Sequence, residues 1–216
     1  MAAGSQPVLV TKKTLGQGLE FLAAKDAELA SVIEVHGPPP IWSRPAGYAT
    51  LVKIILEQQV SLASAKAAFD RLEGELGTVE PELFLTLDDA TLKRIGFSRQ
   101  KAGYCRELAA AIVEGRFEIG GLRKMSDEAA REELMSLKGV GRWTADIYLL
   151  MVLRRADVWP SGDLALAKAA QEVKGLASTP SPEDLEEVGS AWRPWRAVAA
   201  RLLWHHYLSR PRAVIN

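Results

Sequence analysis

Eight consecutive residues, Leu137-Lys138-Gly139-Val140-Gly141-Arg142-Trp143-Thr144, carry the densest chemistry in the chain. Two glycines around one valine allow a tight turn with positive φ and leave no Cβ to block another chain. The helix predicted to begin near Arg142 would present unpaired N–H groups and the positive end of its dipole, which suits a phosphate oxygen. Lys138 and Arg142 add cationic reach. The plain alternative is an ordinary αα-hairpin in which Val140 plugs the core and the glycines only shape the turn. The octet as a whole favours contact with a DNA backbone, because basic residues flank a glycine turn at a helix start. Further along, Val158-Trp159-Pro160-Ser161-Gly162-Asp163-Leu164-Ala165-Leu166 puts an aspartate at the mouth of another predicted helix, where Asp163 suits the N-cap.

The elements that must carry these residues are helical. Spacing of Ala, Leu, Glu and Lys with a helical period recurs throughout, whereas alternating β-branched runs bounded by tight turns are nearly missing. The chain is therefore predicted to be all-α, with helices at about 15–25, 26–35, 46–58, 61–76, 88–95, 99–114, 127–136, 142–153, 164–172, 182–188 and 195–208. Pro38, Pro39 and Pro40 stop one helix and Gly115 follows another. Ser181, Pro182 and Asp184 read as a capping box with proline at the first helical position. There is no internal repeat or low-complexity tract. Residues 1–7 and the tail after Pro211 are expected to be disordered.

Bulk properties narrow the classes. At 216 residues and 48% hydrophobic content, the chain can bury a substantial core. Its apolar runs, such as 147–153, end in Arg154 and Arg155 well short of the roughly 20 residues of a membrane span. Residues 1–11 lack the pattern of an export or transit signal, so a cytoplasmic protein is expected. One cysteine, Cys105, excludes a disulfide framework or a four-cysteine iron-sulfur or zinc site within the chain. Lys plus Arg and Asp plus Glu number 27 each, so any binding to a polyanion must come from a local patch.

The run Leu-x-Gly-Val-Gly-x-x-Thr-Ala beginning at Leu137 resembles the helix-hairpin-helix signature of base-excision DNA glycosylases. The resemblance covers about residues 42–207, and what it implies is specific. The catalytic aspartate would be Asp163, ahead of the rivals Asp146 and Asp157. A carboxylate beneath a sugar of oxocarbenium character stabilises developing positive charge and helps position water. Members that also cleave the strand place a lysine two residues after the second glycine; this chain has Trp143 there, which implies no lyase step. With a single cysteine, the iron-sulfur cluster of the endonuclease III and adenine glycosylase branches is not expected. What remains is similar to the AlkA-like 3-methyladenine DNA glycosylase II group.

That group supplies further expectations. Glu57-Gln58-Gln59-Val60-Ser61 matches the loop that enters the minor groove, with Gln59 as the wedge and Gln58 beside it. Gln58, Gln59, Lys138, Gly139, Val140, Gly141, Arg142 and Thr144 would contact DNA. Trp143 and Trp204 fall on positions that line the base pocket, Ile147 stands where a family member has a tyrosine, and Tyr148 and Trp42 could compensate. Aromatic faces there would attract a cationic methylated purine. Core packing is the competing reading for each tryptophan. The carbonyls of Met135, Leu137 and Val140 match the positions that hold a monovalent cation, Na+ or K+, and no other cofactor is expected. His205 and His206, adjacent on a helix, point apart and read as structural.

The resemblance implies two helical subdomains flanking an active-site cleft, one from residues 1–45 with 157–216 and a central helical barrel at 46–156. It implies no N-terminal β domain. The expected activity is a monomer hydrolysing the N-glycosidic bond of alkylated purines in double-stranded DNA. Two alternatives stay open: a glycosylase for other damaged or mismatched bases, and a non-catalytic DNA-binding module that kept the hairpin.

Overall fold

A computed structural model describes residues 7–210; the segments expected to be disordered, apart from Pro7, lie outside the described residues. Twelve α-helices and one 3-10 helix follow one another, and no β-strand occurs among the described residues. No helix of the described residues is long and apolar enough to cross a membrane. By compactness the chain divides into two units, one formed by Met1–Ser43 with Leu149–Asn216 and the other by Arg44–Tyr148.

The first unit holds α1 (Lys12–Lys25), α2 (Ala27–His36), α10 (Leu164–Val173), α11 (Pro182–Ser190) and α12 (Arg196–Ser209). Helix α1 starts three residues earlier than its apolar spacing predicts, because Thr11 and Thr14 cap one another's backbone N–H groups. It packs close to α12: a Cβ on Gly18 would lie 2.8 Å from Val198 Cγ2 and 3.0 Å from the Trp195 ring. Asp26 ties three segments together, capping α2 through Leu29 N while accepting from Trp192 Nε1 (2.8 Å) and Lys174 Nζ (3.0 Å). Burial alone would push its carboxyl up, but those donors outweigh it and hold it below the usual range. The expected capping box forms at Ser181 and Asp184. Residues 196–204 of α12 are all buried, so this helix runs through the core rather than along its surface.

The second unit contains α3 (Tyr48–Glu57), α4 (Leu62–Leu76), α5 (Pro81–Leu85), α6 (Asp89–Ile95), α7 (Arg99–Val113), the 3-10 helix (Ile119–Lys124) and α8 (Asp127–Met135). Buried Leu51, Val52, Ile54, Ile55 and Leu56 make α3 its centre. The Tyr48 hydroxyl donates to the Cys105 carbonyl (3.0 Å), and the Tyr48, Phe84 and Phe97 rings pack in series. Neither α5 nor the 3-10 helix is predicted from the sequence. Both are too short to show a helical period, although Pro81 stands at the first turn of α5, where proline is welcome.

Helix α9 (Arg142–Met151) follows α8 after the glycine turn. The division between units falls at Tyr148 and Leu149, not at 156 as the sequence implies. The reason lies in backbone pairing: Val10 N donates to Arg154 O (2.6 Å), Ala156 N to Val8 O (2.9 Å) and Ala197 N to Ala156 O (2.9 Å), which binds the 149–156 segment into the first unit.

Candidate nucleic-acid interface and candidate acid

The glycine turn is shaped by its surroundings. Helix α8 ends at Met135, Val140 N closes the turn on Leu137 O (3.1 Å), and α9 begins at Arg142. Only one of the two glycines takes positive φ: Gly139 sits at +84°. A Cβ there would also stand 2.2 Å from the Tyr104 ring, so the position is closed to side chains on two grounds. Gly141 has an ordinary φ, and a Cβ placed on it would meet nothing within 4 Å. Its bareness has no internal use and leaves the start of α9 open to approach from outside. Val140 is buried, as the packing reading requires, while Lys138, Gly141 and Arg142 are exposed.

Two predicted contact residues, Gln58 and Thr144, are bonded to each other, the first partly exposed and the second buried. Thr144 is 2% exposed and its Oγ1 accepts from Gln58 Nε2 at 2.9 Å. The same Gln58 nitrogen donates to Gly139 O at 2.9 Å. Gln58 is the C-cap of α3, not part of it. The next residue, Gln59, has φ +56° and is exposed, so the chain turns sharply there and offers its side chain to solvent. Lys101, which the sequence gives no reason to select, donates from Nζ to Leu56 O (2.7 Å) and Gln58 O (2.8 Å).

The carbonyls of Met135, Leu137 and Val140 lie at the C-terminal end of α8 and in the turn. Neutral oxygens at the negative end of a helix dipole fit the chemistry of a monovalent cation. Leu137 O already accepts from Val140 N and retains a second lone pair.

Among the three aspartates, two are committed to arginines. Asp146, 1% exposed, accepts from Arg131 Nε (2.7 Å) and lies 3.7 Å from Arg142 Nε. Asp157 is held by Arg196 Nε (2.8 Å) and Arg193 (3.2 Å). Asp163 is partly exposed. It caps α10, with Oδ1 accepting from Leu166 N at 2.8 Å. The same oxygen accepts from Trp204 Nε1, on α12, at 3.1 Å. The loop before it is tightened by Ser161 N to Trp159 O and Asp163 N to Pro160 O. The carboxylate is thus fixed in direction by two N–H donors and keeps access to solvent.

The predicted pocket residues divide. Trp204 touches Asp163 directly, and within the same unit Trp42 lies edge-on to His205 at 6.4 Å. Trp143 is partly exposed on α9, whereas Ile147 and Tyr148 are 3% and 0% exposed and present no open face. Burial raises the Tyr148 hydroxyl to about 12. Three tryptophans are structural: Trp159 donates to Leu185 O and stacks edge-on with Trp192 at 5.3 Å, Trp192 serves Asp26, and Trp195 packs on Gly18. His205 and His206 face His36, with 3.2 Å between His206 Nδ1 and His36 Nε2.

Comparison with known proteins identifies the fold. Residues 52–194 match the HhH-GPD superfamily of base excision DNA repair proteins, and the chain belongs to that family. It is 29% identical over 192 residues to the alkylbase DNA glycosidase-like protein mag2 of Schizosaccharomyces pombe, covering 86% of this chain and 90% of that one. A solved DNA-3-methyladenine glycosidase from Bacillus halodurans superimposes with a TM-score of 0.75 at 29% identity, over 89% of each chain. The 3-methyladenine DNA glycosylase Mag1 of S. pombe, solved with abasic DNA, gives 0.77 at 25% identity, over 87% of this chain and 95% of that one. The all-α architecture is therefore the helix-hairpin-helix glycosylase fold.

Proposed function

We propose that the protein is a monofunctional DNA glycosylase that acts as a monomer on double-stranded DNA and releases alkylated purines, with Asp163 as its catalytic carboxylate. The observation that carries this reading is the setting of Asp163: at the mouth of α10, partly open to solvent, with Oδ1 accepting from Leu166 N and Trp204 Nε1. Its relatives named for alkylated bases supply the substrate class.

In this reading the exposed start of α9, with Gly141, Lys138 and Arg142, grips a phosphate through backbone N–H groups, dipole and cationic side chains. Bound Na+ or K+ at the Met135, Leu137 and Val140 carbonyls would add positive charge beside that phosphate. Gln59, on its exposed turn, fills the gap left by a flipped nucleotide. Asp163 stabilises positive charge developing on the sugar as the base leaves with the electron pair of the glycosidic bond, and a water molecule adds to the sugar carbon and gives up a proton. A methylated purine is already cationic and leaves without a strong general acid, so one carboxylate suffices. Trp143 takes the place where a nucleophilic lysine would stand, so the product is an intact abasic site.

The test is base release from duplexes carrying 3-methyladenine, 7-methylguanine, hypoxanthine or 8-oxoguanine, with Asp163→Asn alongside. Methylated purines should be released, and the variant should lose at least about 10²-fold in rate while still binding DNA. Borohydride should trap no covalent adduct. Binding without release by the wild type would favour the non-catalytic module.

A further inference from the structure

Gln58 has a primary amide with two N–H donors, and both are used inside the protein, one on Gly139 O and one on Thr144 Oγ1, each at 2.9 Å. From the other side, Lys101 Nζ reaches out of α7 to Leu56 O and Gln58 O, the carbonyls at the C-terminal end of α3. A cation there satisfies carbonyls the helix leaves unbonded and meets the negative end of the dipole. The backbone entering Gln59 is therefore held on both flanks. It then adopts a φ of +56°, a left-handed conformation that a glutamine keeps only where the surroundings impose it. The Gly139 carbonyl that receives the Gln58 amide is seated in turn, since its residue packs on the Tyr104 ring. Tyr104 and Lys101 lie about one turn apart on α7. One helix thus supports both the turn and the hairpin.

We propose that Gln58 is a positioning residue that does not read DNA but locks the Gln59 turn to the glycine hairpin, so that wedge and phosphate grip meet the duplex as one preorganised part, with α7 as its footing. The proposal rests on the reading above, in which both features meet DNA. Sequence-independent attraction to phosphates needs only exposed cations and N–H groups. Holding a flipped or missing nucleotide needs the wedge at a set distance from the grip. Loss of the lock should therefore weaken recognition of a gap in the stack far more than binding to intact duplex.

Gln58→Ala, Gln58→Glu and Lys101→Met separate the possibilities. Glutamate keeps the size of glutamine but sets an acceptor against the Gly139 carbonyl. Three quantities are measured: amide hydrogen exchange at residues 59–61 of the free protein, affinity for a duplex carrying a stable abasic analogue, and affinity for the same duplex intact. All three variants should exchange faster at the turn. They should lose roughly tenfold in affinity for the abasic-analogue duplex while intact-duplex affinity stays within about twofold. Weaker binding with unchanged exchange would assign Gln58 to the DNA itself and overturn the lock. Full discrimination retained by Gln58→Glu would reduce the residue to space filling and overturn it equally. A Lys138→Ala, Arg142→Ala pair that left both affinities intact would instead sink the hairpin reading underneath, with the exchange rates still deciding the lock.

Discussion

At the scale of single residues, the sequence position of Trp204 does not separate a wall for the base from a hydrogen-bond donor. Family likeness marks it as a wall for the base, yet its N–H is spent on Asp163. Trp204→Phe keeps an aromatic face and removes that donor. Because a hydrogen bond to a charged group is worth more than a neutral one, the rate of the chemical step should fall about tenfold, with substrate affinity little changed. Single-turnover base release at saturating enzyme measures the first, and a competition titration the second; a loss confined to affinity would mean the ring serves only as a wall. The same contrast explains what could be read about the tryptophans beforehand. All six carry the same apolar bulk, Trp159, Trp192 and Trp204 are all buried, and what gives each its role is where distant partners such as Leu185 O, Asp26 and Asp163 fall. Local sequence does not record those partners.

At the scale of elements, the two hairpin glycines make opposite predictions. Gly139→Ala forces a positive φ on a residue with a Cβ and drives that Cβ into the Tyr104 ring, so stability should drop by about 2 kcal/mol or more. Gly141→Ala meets nothing, so chemical denaturation should shift by less than about 0.5 kcal/mol while DNA affinity falls. Equal losses of stability in both would remove the reason for assigning the start of α9 to an outside partner. The packing of α2 on α12 carries a pH dependence. Partial burial, and then the neighbouring His206 and His205, hold His36 below its ordinary value of 6.5. The unfolded chain therefore binds its proton more readily than the folded one. Stability contributed by neutral His36 is present above about pH 6.5 and is lost as pH falls below that toward the folded value. The thermal midpoint should decline between pH 7.5 and 5.5, and His36→Gln should flatten the decline.

Elements were also where the sequence was most legible. Long amphipathic helices announce themselves by period, and Ser181-Pro182 announces a start. The hairpin is visible because glycine and charge cluster within eight residues. The Lys101 and Tyr104 supports were hidden, since α7 is an ordinary helix on its own and acquires its role only through carbonyls and a glycine far along the chain. The Gln58–Thr144 hydrogen bond is hidden in the sequence for the same reason: its two partners stand 86 residues apart.

At the scale of the whole molecule, equal numbers of acidic and basic side chains give no overall pull on a polyanion, and the proposed function assigns the local pull to the cations at the hairpin. The salt dependence of binding to intact duplex should therefore be shallow and local. Lys138→Ala should lower the slope of log K against log salt by about 1. Lys66→Ala, which removes a cation engaged with Asp70 on the exposed face of α4, should leave the slope unchanged. Equal effects of the two substitutions would mean that diffuse charge, not the hairpin, governs the encounter.

The split of the first unit between residues 1–43 and 149–216 has a consequence during synthesis. Helices α1 and α2 leave the ribosome well before α12, with Leu15, Leu19, Leu22 and Leu29 awaiting a cover that α12 supplies only after the whole of 44–148 has been translated. At about 5–20 residues per second, those leucines stay without their final neighbours for on the order of ten seconds. The uninterrupted middle stretch has every residue it needs well before then. The nascent chain accordingly completes the 44–148 unit first, while α1 and α2 remain clients for whatever shields apolar surface at the exit tunnel.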